Sequence, residues 1–361
     1  MAKSNDHAGA EIADLIFDGL AKNQDRNNRP HLGCSIIGRS CERQIWYVWR
    51  WAKIPDHDGR LLRIFRRGDQ EEPNVEADLK RIGIDVMTED PRSGKQFGVK
   101  DMGNHLRGSL DGLIRNIPND EKEWYVLEIK TSGSKFFTKL VKELVKKAKP
   151  EHYAQMQLYM RLTNIKKALY IAVNKDTDKI HSEFIDYNKD EAEEYYQKSK
   201  RIFESKEAPP KISEHSSWFE CKMCDHREHC HGENVAEVNC RTCIHATPIV
   251  SELDLGDKDG VWKCAKKDEI LSLDDQKLGC DQHLFIPNMI SFASPIDADQ
   301  GESKWIEYKS EQSVHIFNCT ADTSKEGGYT SKEMQRAGSR ILTDDPLVES
   351  IIKNFSGKLE I

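Results

Sequence analysis

One apolar run near the middle of the chain contains two charged residues that it cannot bury without help. Residues 124–131 are rich in β-prone apolar side chains and predict a buried strand, yet Glu128 and Lys130 alternate onto one face of it. Removing two charges from water costs several kcal/mol unless they are paired or bind a metal ion. The run therefore predicts a central strand whose buried charges form part of a site.

A second acidic residue, Asp111, is predicted to lie beside Glu128. Asp111 ends the segment 105–111, and the turn-forming run 116–120 is predicted to join this segment to strand 124–131 as a β-hairpin. The alternative is an ordinary Asp-Gly turn beside a solvated Glu-x-Lys strand face.

The predicted ligand set suits a hard divalent cation. Two carboxylates and the backbone carbonyl of Ile129 are the oxygen donors that Mg2+ or Mn2+ prefers. Such an ion would activate water for phosphodiester hydrolysis, with Lys130 close to the scissile phosphate.

Two further motifs follow the order found in a known nuclease superfamily. The segment Gly68–Pro73 is similar to the Gly-x-x-x-Glu-Pro motif at the start of the helix that supplies an extra acidic ligand in PD-(D/E)xK nucleases. The resemblance assigns that role to Glu72, with Glu71 as a competitor. The segment 152–159 resembles the Gln-x-x-x-Tyr signature of the RecB subgroup, which implies that Gln155 and Tyr159 hold DNA and order the site.

The resemblance covers residues 31–231, and it implies an α/β fold with a restriction-endonuclease-like core, a mixed sheet flanked by helices. It also implies that Glu72, Asp111, Glu128 and Lys130 are catalytic and that the first three bind the metal ion together with Ile129. An ordinary amphipathic helix is the alternative explanation for the Gln155 segment.

A first set of cysteines resembles the iron–sulfur staple of CRISPR-associated RecB-like exonucleases and of AddAB-type helicase–nucleases. Cys221, Cys224 and Cys230 follow the nuclease motifs, and Cys41 precedes them in a Cys-x-Arg-x-x-x-Tyr context. The resemblance implies a 4Fe-4S cluster that joins the two ends of the domain. Zinc is the rival occupant because three histidines surround the trio, and Cys34 is a substitute for Cys41. These histidines are His226, His229 and His231.

A second set of cysteines predicts a zinc-ribbon-like module over 236–290. A close Cys-x-x-Cys pair is followed by two separated cysteines, and His245 and His283 are substitute ligands. Disulfides are the alternative, but ten cysteines without a secretory start favour reduced thiols. The four predicted zinc ligands are Cys240, Cys243, Cys264 and Cys280.

Lysines repeat at helical spacing directly after the Glu-x-Lys strand. They predict a DNA-phosphate stripe, with a solvated helix face as the alternative, and the opposite face is predicted to be the apolar set Phe136, Leu140, Val141 and Leu144. A net charge of −7 does not exclude DNA, because local patches control its approach. The stripe consists of Lys135, Lys139, Lys142, Lys146 and Lys149.

The remaining pattern predicts four regions, which are an N-terminal helical segment over 1–30, a nuclease domain over 31–235, the module over 236–290 and an unassigned region over 291–361. Further predicted elements are core-packed helices over 8–22 and 40–52, a strand over 167–174, a helix over 189–205, a hairpin of 305–308 with 314–318, and a short helix from Asp345.

Taken together, the motifs predict a metal-dependent exonuclease that acts on DNA ends or single strands in recombination or repair, and that is encoded by a phage. The alternatives are an endonuclease or CRISPR-adaptation subunit that works with a protein partner, and a silent metal-stapled DNA-binding adaptor. No apolar run approaches a membrane span, and the start lacks a secretory h-region, so a cytoplasmic protein is expected.

Overall fold

The computed structural model describes residues 8–251 and 255–343. The helices in these residues are α1 Ala8–Lys22, α2 Glu42–Trp49, α3 Gly59–Arg81, α4 Ser134–Ala148, α5 Pro150–Thr163, α6 Lys189–Glu204, α7 Phe219–Lys222, α8 Arg227–Cys230, α9 Leu273–Lys277 and α10 Ser331–Ala337.

The strands of the N-terminal half are β1 Leu32–Gly33, β2 Asp85–Met87, β3 Glu89–Asp90, β4 Lys95–Gln96, β5 Gly98–Asp101, β6 Leu106–Ser109, β7 Gly112–Arg115, β8 Tyr125–Ser132, β9 Lys167–Asn174 and β10 Ile180–Asp186. Those of the C-terminal half are β11 Ala246–Ile249, β12 Val261–Cys264, β13 Glu269–Leu271, β14 Ala293–Ala298, β15 Trp305–Ser310, β16 His315–Cys319 and β17 Gly328–Thr330.

A five-stranded mixed sheet forms the centre of the fold, in the order β10-β9-β8-β7-β2. Strands β8 and β9 run parallel over their whole length, and the other neighbours are antiparallel. Leu127 and Ile129 pack in one cluster with Val75 and Leu79 of α3, whereas Val126 belongs to the large core that contains α4 and α5 residues. The predicted mixed sheet flanked by helices is therefore present, and β8 and β9 match the predicted strands closely.

The hairpin that carries the acidic residues differs from the prediction. Strand β6 pairs with β1 and β5 in a separate sheet, and β7 is the strand that pairs with β8. Asp111 does not end a hairpin strand but lies in the link between the two sheets, directly before β7. The predicted turn is present, since Asn116 and Asn119 adopt positive φ angles of 62° and 71° and Asn tolerates this conformation better than most residues.

The apolar faces of two helices were predicted wrongly. In α4 the buried residues include Phe137 and Val145, whereas Phe136, Val141 and Leu144 are exposed. Leu144 has a φ of 62° and interrupts the helical periodicity, so the spacing of the sequence does not describe one continuous face. Helix α1 is present and packs on α3, but three of its apolar side chains are exposed instead of lying in the core. These side chains are Ile12, Leu15 and Ile16.

The motif Gly68–Pro73 does not start a helix. It lies inside α3, which begins nine residues earlier at Gly59, and the Asp58 carboxylate caps that helix by accepting a hydrogen bond from the Leu61 backbone amide at 2.7 Å. Pro73 lies within the span of this helix, and its side chain is exposed. Proline lacks an amide hydrogen and is ordinarily found in the first helical turn, so Pro73 departs from this preference, and the helix start that the resemblance implied at this motif is wrong.

The C-terminal half packs on the N-terminal half through a buried cation. Arg241 is fully buried, with its guanidinium 3.7 Å from the centre of the Trp51 ring and 4.6 Å from that of Trp262. It also donates to the Pro30 carbonyl at 2.8 Å and to Gln276. Tryptophan faces attract a cation, so the predicted aromatic helix, observed as α2 and its C-terminal flank, serves core packing.

The remaining sequence-based elements have clear outcomes. Helix α6 and the hairpin β15–β16 confirm the predictions for 189–205 and for 305–318. The helix predicted from Asp345 lies outside the described residues. In the part of the chain that the structure describes, no helix has the length and apolar character needed to cross a membrane.

Candidate active site

The central sheet brings the predicted acidic residues together. Gly112 pairs with Leu127 across the antiparallel strands β7 and β8, which places Asp111 opposite Glu128. The Asp111 carboxylate accepts a hydrogen bond from the Ile129 backbone amide at 2.7 Å. The position of Asp111 is therefore fixed by the strand that carries Glu128.

The ammonium group of Lys130 contacts all three groups predicted as metal ligands on these strands. Its Nζ lies 3.0 Å from the Ile129 carbonyl oxygen and 3.5 Å from Asp111 Oδ2, and it forms an ion pair with Glu128 Oε1. Three oxygen atoms from two carboxylates and a carbonyl therefore converge on one point, and a cation lies at that point.

A hydrogen-bond chain from α5 holds the other oxygen of Glu128. Gln155 donates to Glu128 Oε2 at 3.2 Å and to the Tyr159 hydroxyl at 2.9 Å, and Tyr159 donates to the Ser109 carbonyl at 2.7 Å. Gln155 and Tyr159 are buried, and their polar ends are engaged within the protein. Their position orders the site, while their predicted contact with DNA stays a prediction.

Burial and neighbouring charges shift the acid–base properties of the site. Burial raises the pKa of Glu128 to about 7, and the Asp111 charge adds to this although the Lys130 ammonium opposes it. Burial lowers the pKa of Lys130, but the carboxylates of Glu128 and Asp111 outweigh burial and raise the net value above its ordinary range. The Lys130 ammonium is accordingly a charged hydrogen-bond donor at neutral pH.

Glu72 is electrostatically coupled to this centre. Burial raises the pKa of Glu72, and the nearby Asp111 charge raises it further while Lys130 lowers it. Glu71 instead accepts a hydrogen bond from Asn74 on its own helix at 3.4 Å. The local environment therefore favours Glu72 as the third carboxylate.

The chemistry of these donors fits a hard divalent cation. Carboxylate and carbonyl oxygens are the ligands that Mg2+ and Mn2+ prefer. In residues 8–251 and 255–343, however, no group of three or more His, Cys, Asp or Glu side chains is placed to hold a metal ion as it stands. A metal ion in the acidic centre would require the Lys130 ammonium to move off the carboxylates, and Glu72 to approach.

The first set of cysteines lines one cavity. Cys41 caps the N-terminus of α2, where its sulfur accepts from the Gln44 amide at 3.4 Å, and Cys221, Cys224 and Cys230 come from the segment around α7 and α8. All four line the same cavity, together with His226 and His231. The predicted substitute Cys34 is instead fully buried in the large hydrophobic core.

The second set of cysteines lies where the sheet β11-β12-β13 meets the short helix α9. Burial raises the pKa of the Cys240 thiol, and the neighbouring Cys280 and Cys264 raise it further. The Cys240 sulfur contacts two carbonyl oxygens at the end of α9, each at 3.3 Å. His283 is engaged by Thr242 and by the Asn239 carbonyl. All ten cysteines of the chain are free thiols in the structure.

The predicted DNA-binding lysines Lys135, Lys139 and Lys142 are exposed on α4. Lys146, from the same stripe, pairs with Glu191 at 2.7 Å, and Lys139 lies 3.9 Å from Glu143. Exposure agrees both with phosphate binding and with a solvated face.

Sequence reasoning did not single out His152 and Tyr170, whose side chains form a hydrogen bond at 2.8 Å near Lys130. A His followed three residues later by the predicted Gln was the available signal.

Comparisons with known proteins do not identify a family for this chain. No family model and no curated protein matches it. Among solved structures, an alkaline exonuclease from Laribacter hongkongensis matches with 16% identity and a TM-score of 0.36, over 52% of this chain and 89% of that chain. The same exonuclease in complex with dAMP matches with 15% identity, the same coverage and the same TM-score.

A phage-related exonuclease from Haemophilus somnus matches with 14% identity and a TM-score of 0.35, over 48% of this chain and 91% of that chain. At this identity and overlap, none of these structures carries an argument about the function of the chain. The function is therefore argued from the site itself.

The hydrogen-bond chain predicts a stability difference between two buried tyrosines. Tyr159→Phe removes the hydroxyl that joins Gln155 to the Ser109 carbonyl and leaves both without that partner, which should lower the free energy of unfolding by about 1–3 kcal/mol. The matched control is Tyr308→Phe, because the Tyr308 hydroxyl is buried and has no hydrogen-bond partner within residues 8–251 and 255–343. Urea unfolding of both variants measures the difference, and equal losses would contradict the structural role given to Tyr159.

Proposed function

We propose that this chain is a metal-dependent DNA nuclease that hydrolyses phosphodiester bonds, and that it acts as an exonuclease on DNA ends. The observation that supports the proposal is the convergence of Asp111, Glu128 and the Ile129 carbonyl on a single point beside Lys130. Hard oxygen donors around one cationic position are the arrangement that metal-assisted hydrolysis requires.

In the proposed mechanism each side chain has a distinct task. Asp111, Glu128 and the Ile129 carbonyl would hold Mg2+ or Mn2+, and Glu72 would complete the set. A divalent ion held there would lower the pKa of a bound water and neutralise charge on the phosphate. Gln155 keeps one Glu128 oxygen turned away from the metal position, because it donates to Oε2 while Oε1 faces Lys130.

Lys130 contributes electrostatic stabilisation. Its ammonium remains protonated at neutral pH because two carboxylates face it. With a divalent ion held by the carboxylates, the Lys130 ammonium would contact a phosphate oxygen and would stabilise the negative charge that develops there. Preorganised cations of this kind contribute strongly to catalysis in sites from which water is excluded.

Nuclease activity with Mn2+ on linear DNA provides the direct test. Lys130→Ala and Glu72→Gln should each lower the rate at least 100-fold, in line with the loss of one charge-stabilising group. The matched control for Glu72→Gln is Glu71→Gln, which changes the neighbouring carboxylate on the same helix and should retain activity. Equal loss of activity in both glutamate variants would contradict the assignment of Glu72.

The form of the substrate separates the proposal from its alternatives. Cutting of linear but not circular DNA supports an exonuclease, and cutting of circles supports an endonuclease or a DNA-processing subunit. If the wild-type chain cuts neither substrate, the adaptor alternative replaces the proposal. Circular dichroism of each variant establishes that it is folded.

We also propose that the two cysteine sets hold different metals, a 4Fe-4S cluster at Cys41, Cys221, Cys224 and Cys230, and zinc at the second set. Support for the cluster is that Cys41 lines one cavity together with three thiols from a distant part of the chain. Support for zinc is the Cys-x-x-Cys pair followed by a three-stranded sheet, as in zinc ribbons. The second set comprises Cys240, Cys243, Cys264 and Cys280.

Metal analysis of protein purified without oxygen should show that substitutions in the two cysteine sets remove different metals. Cys41→Ser should lose iron and visible absorbance but keep zinc, whereas Cys264→Ser should lose zinc and keep iron. Cys34→Ala is the control that alters a buried thiol outside both sets, and it should keep both metals. Zinc without iron in the wild type would replace the cluster by a second zinc site.

A further inference from the structure

A pair of opposed cations lies on one face of the small sheet next to the acidic centre. Lys100 of β5 is directly opposite Arg107 of β6, and Gly98 is directly opposite Ser109. Side chains alternate along a strand, so all four positions are on the same face of the sheet. Like charges that oppose each other across two strands are destabilising, which means that this face needs an anion.

These cations line a surface groove that reaches Ser109, two residues before Asp111 in the chain. Lys95, Lys100 and Arg107 line it, and it continues to Gly108 and Ser109. The Ser109 carbonyl accepts the Tyr159 hydroxyl, and Asp111 follows two residues later. The groove and the acidic centre are therefore joined through one short segment. We call it the basic groove.

A loop of the C-terminal half now supplies the anionic groups for this groove. Asp257 forms an ion pair with Lys95, and Asp259 accepts from Arg107 at 3.1 Å. The Gly256 carbonyl accepts from Lys100 at 2.7 Å. Residues 256–259, which we call the acidic loop, thus contact Lys95, Lys100 and Arg107 of the basic groove.

The Lys95–Asp257 contact between the acidic loop and the groove is exposed and the Arg107–Asp259 contact is partly exposed, so a competing anion can displace them at low cost. The side chains of Lys95 and Asp257 are 66% and 68% exposed, and those of Arg107 and Asp259 are 27% and 32% exposed. Exposed ion pairs are weak and are screened by salt. A polyanion that brings several phosphates at once releases counterions from each contact and competes effectively.

His31 also lines the groove but adds no positive charge. Burial, together with Arg29, Arg107 and Arg241, lowers its pKa to about 3. The positive charges of the groove at neutral pH therefore come from its lysines and arginine, and Asp90 adds a carboxylate to the lining besides Asp257.

We infer that the basic groove binds the phosphate backbone of a single DNA strand that leads to the acidic centre, and that the acidic loop is its internal competitor. This inference rests on the proposed nuclease function for the identity of the polyanion. The row of cations ends beside residues proposed to hydrolyse a phosphodiester, which favours a nucleic-acid strand over a small anion.

Binding of a fluorescently labelled single-stranded oligonucleotide to the full chain tests the inference. Anisotropy is measured without added divalent ions, so that binding is recorded apart from cutting. The double variant Lys100→Gln/Arg107→Gln should bind about tenfold more weakly, and the slope of log affinity against log salt should fall by about 1.4, because two phosphate contacts are lost. Asp257→Asn should bind several-fold more tightly, because the groove loses a competing carboxylate.

The matched control is Arg115→Gln with Asp85→Asn, an exposed cross-strand ion pair on the central sheet that does not line the groove. This control should bind DNA as the wild type does, and thermal unfolding shows that all variants are folded. Wild-type affinity in the Lys100→Gln/Arg107→Gln variant, or weaker binding by Asp257→Asn, would overturn the inference. If the wild type cuts DNA but the Lys100→Gln/Arg107→Gln and Asp257→Asn variants bind DNA as the wild type does, the role of the groove is excluded. The proposed nuclease function then remains.

Discussion

The interaction on which the structure of the site depends is the contact of the Lys130 ammonium with two buried carboxylates. Glu128 is completely buried at the centre of the sheet, and a carboxylate there without a cation would cost several kcal/mol. Lys130 offsets that cost, and the same ammonium brings Asp111 and the Ile129 carbonyl to one point. The geometry that stabilises the folded chain is thus the geometry that suits a divalent ion.

Two layers of structure maintain this arrangement. The parallel pair β8–β9 fixes the backbone from Tyr125 to Ser132 along its whole length. From α5, Gln155 reaches Glu128, and Tyr159 reaches the segment that precedes Asp111. Gly108 permits this approach, because a β-carbon at that position would lie 2.4 Å from the Tyr159 ring. The positions of the carboxylates therefore depend on side chains that are distant in sequence.

The central strands and the pairing of Asp111 with Glu128 could be predicted from the sequence, because alternation with period two and a turn-forming run are local signals. The place of Asp111 in a link between two sheets could not, since strand partners are chosen by tertiary packing. The exposed apolar face of α4 was missed for a related reason, as Leu144 leaves the helical conformation. The meeting of the acidic loop with Lys100 and Arg107 joins residues about 150 positions apart, and no local pattern predicts such a contact.

The central claim is that Asp111, Glu128 and the Ile129 carbonyl form one divalent-ion site. Anomalous diffraction from crystals soaked in Mn2+ is the most direct measurement of it. We expect a manganese peak within coordination distance of both carboxylates, about 2.0–2.6 Å, with the Lys130 ammonium displaced from its present position. Manganese density that lies elsewhere in the protein, with Lys130 still between the carboxylates, would contradict it.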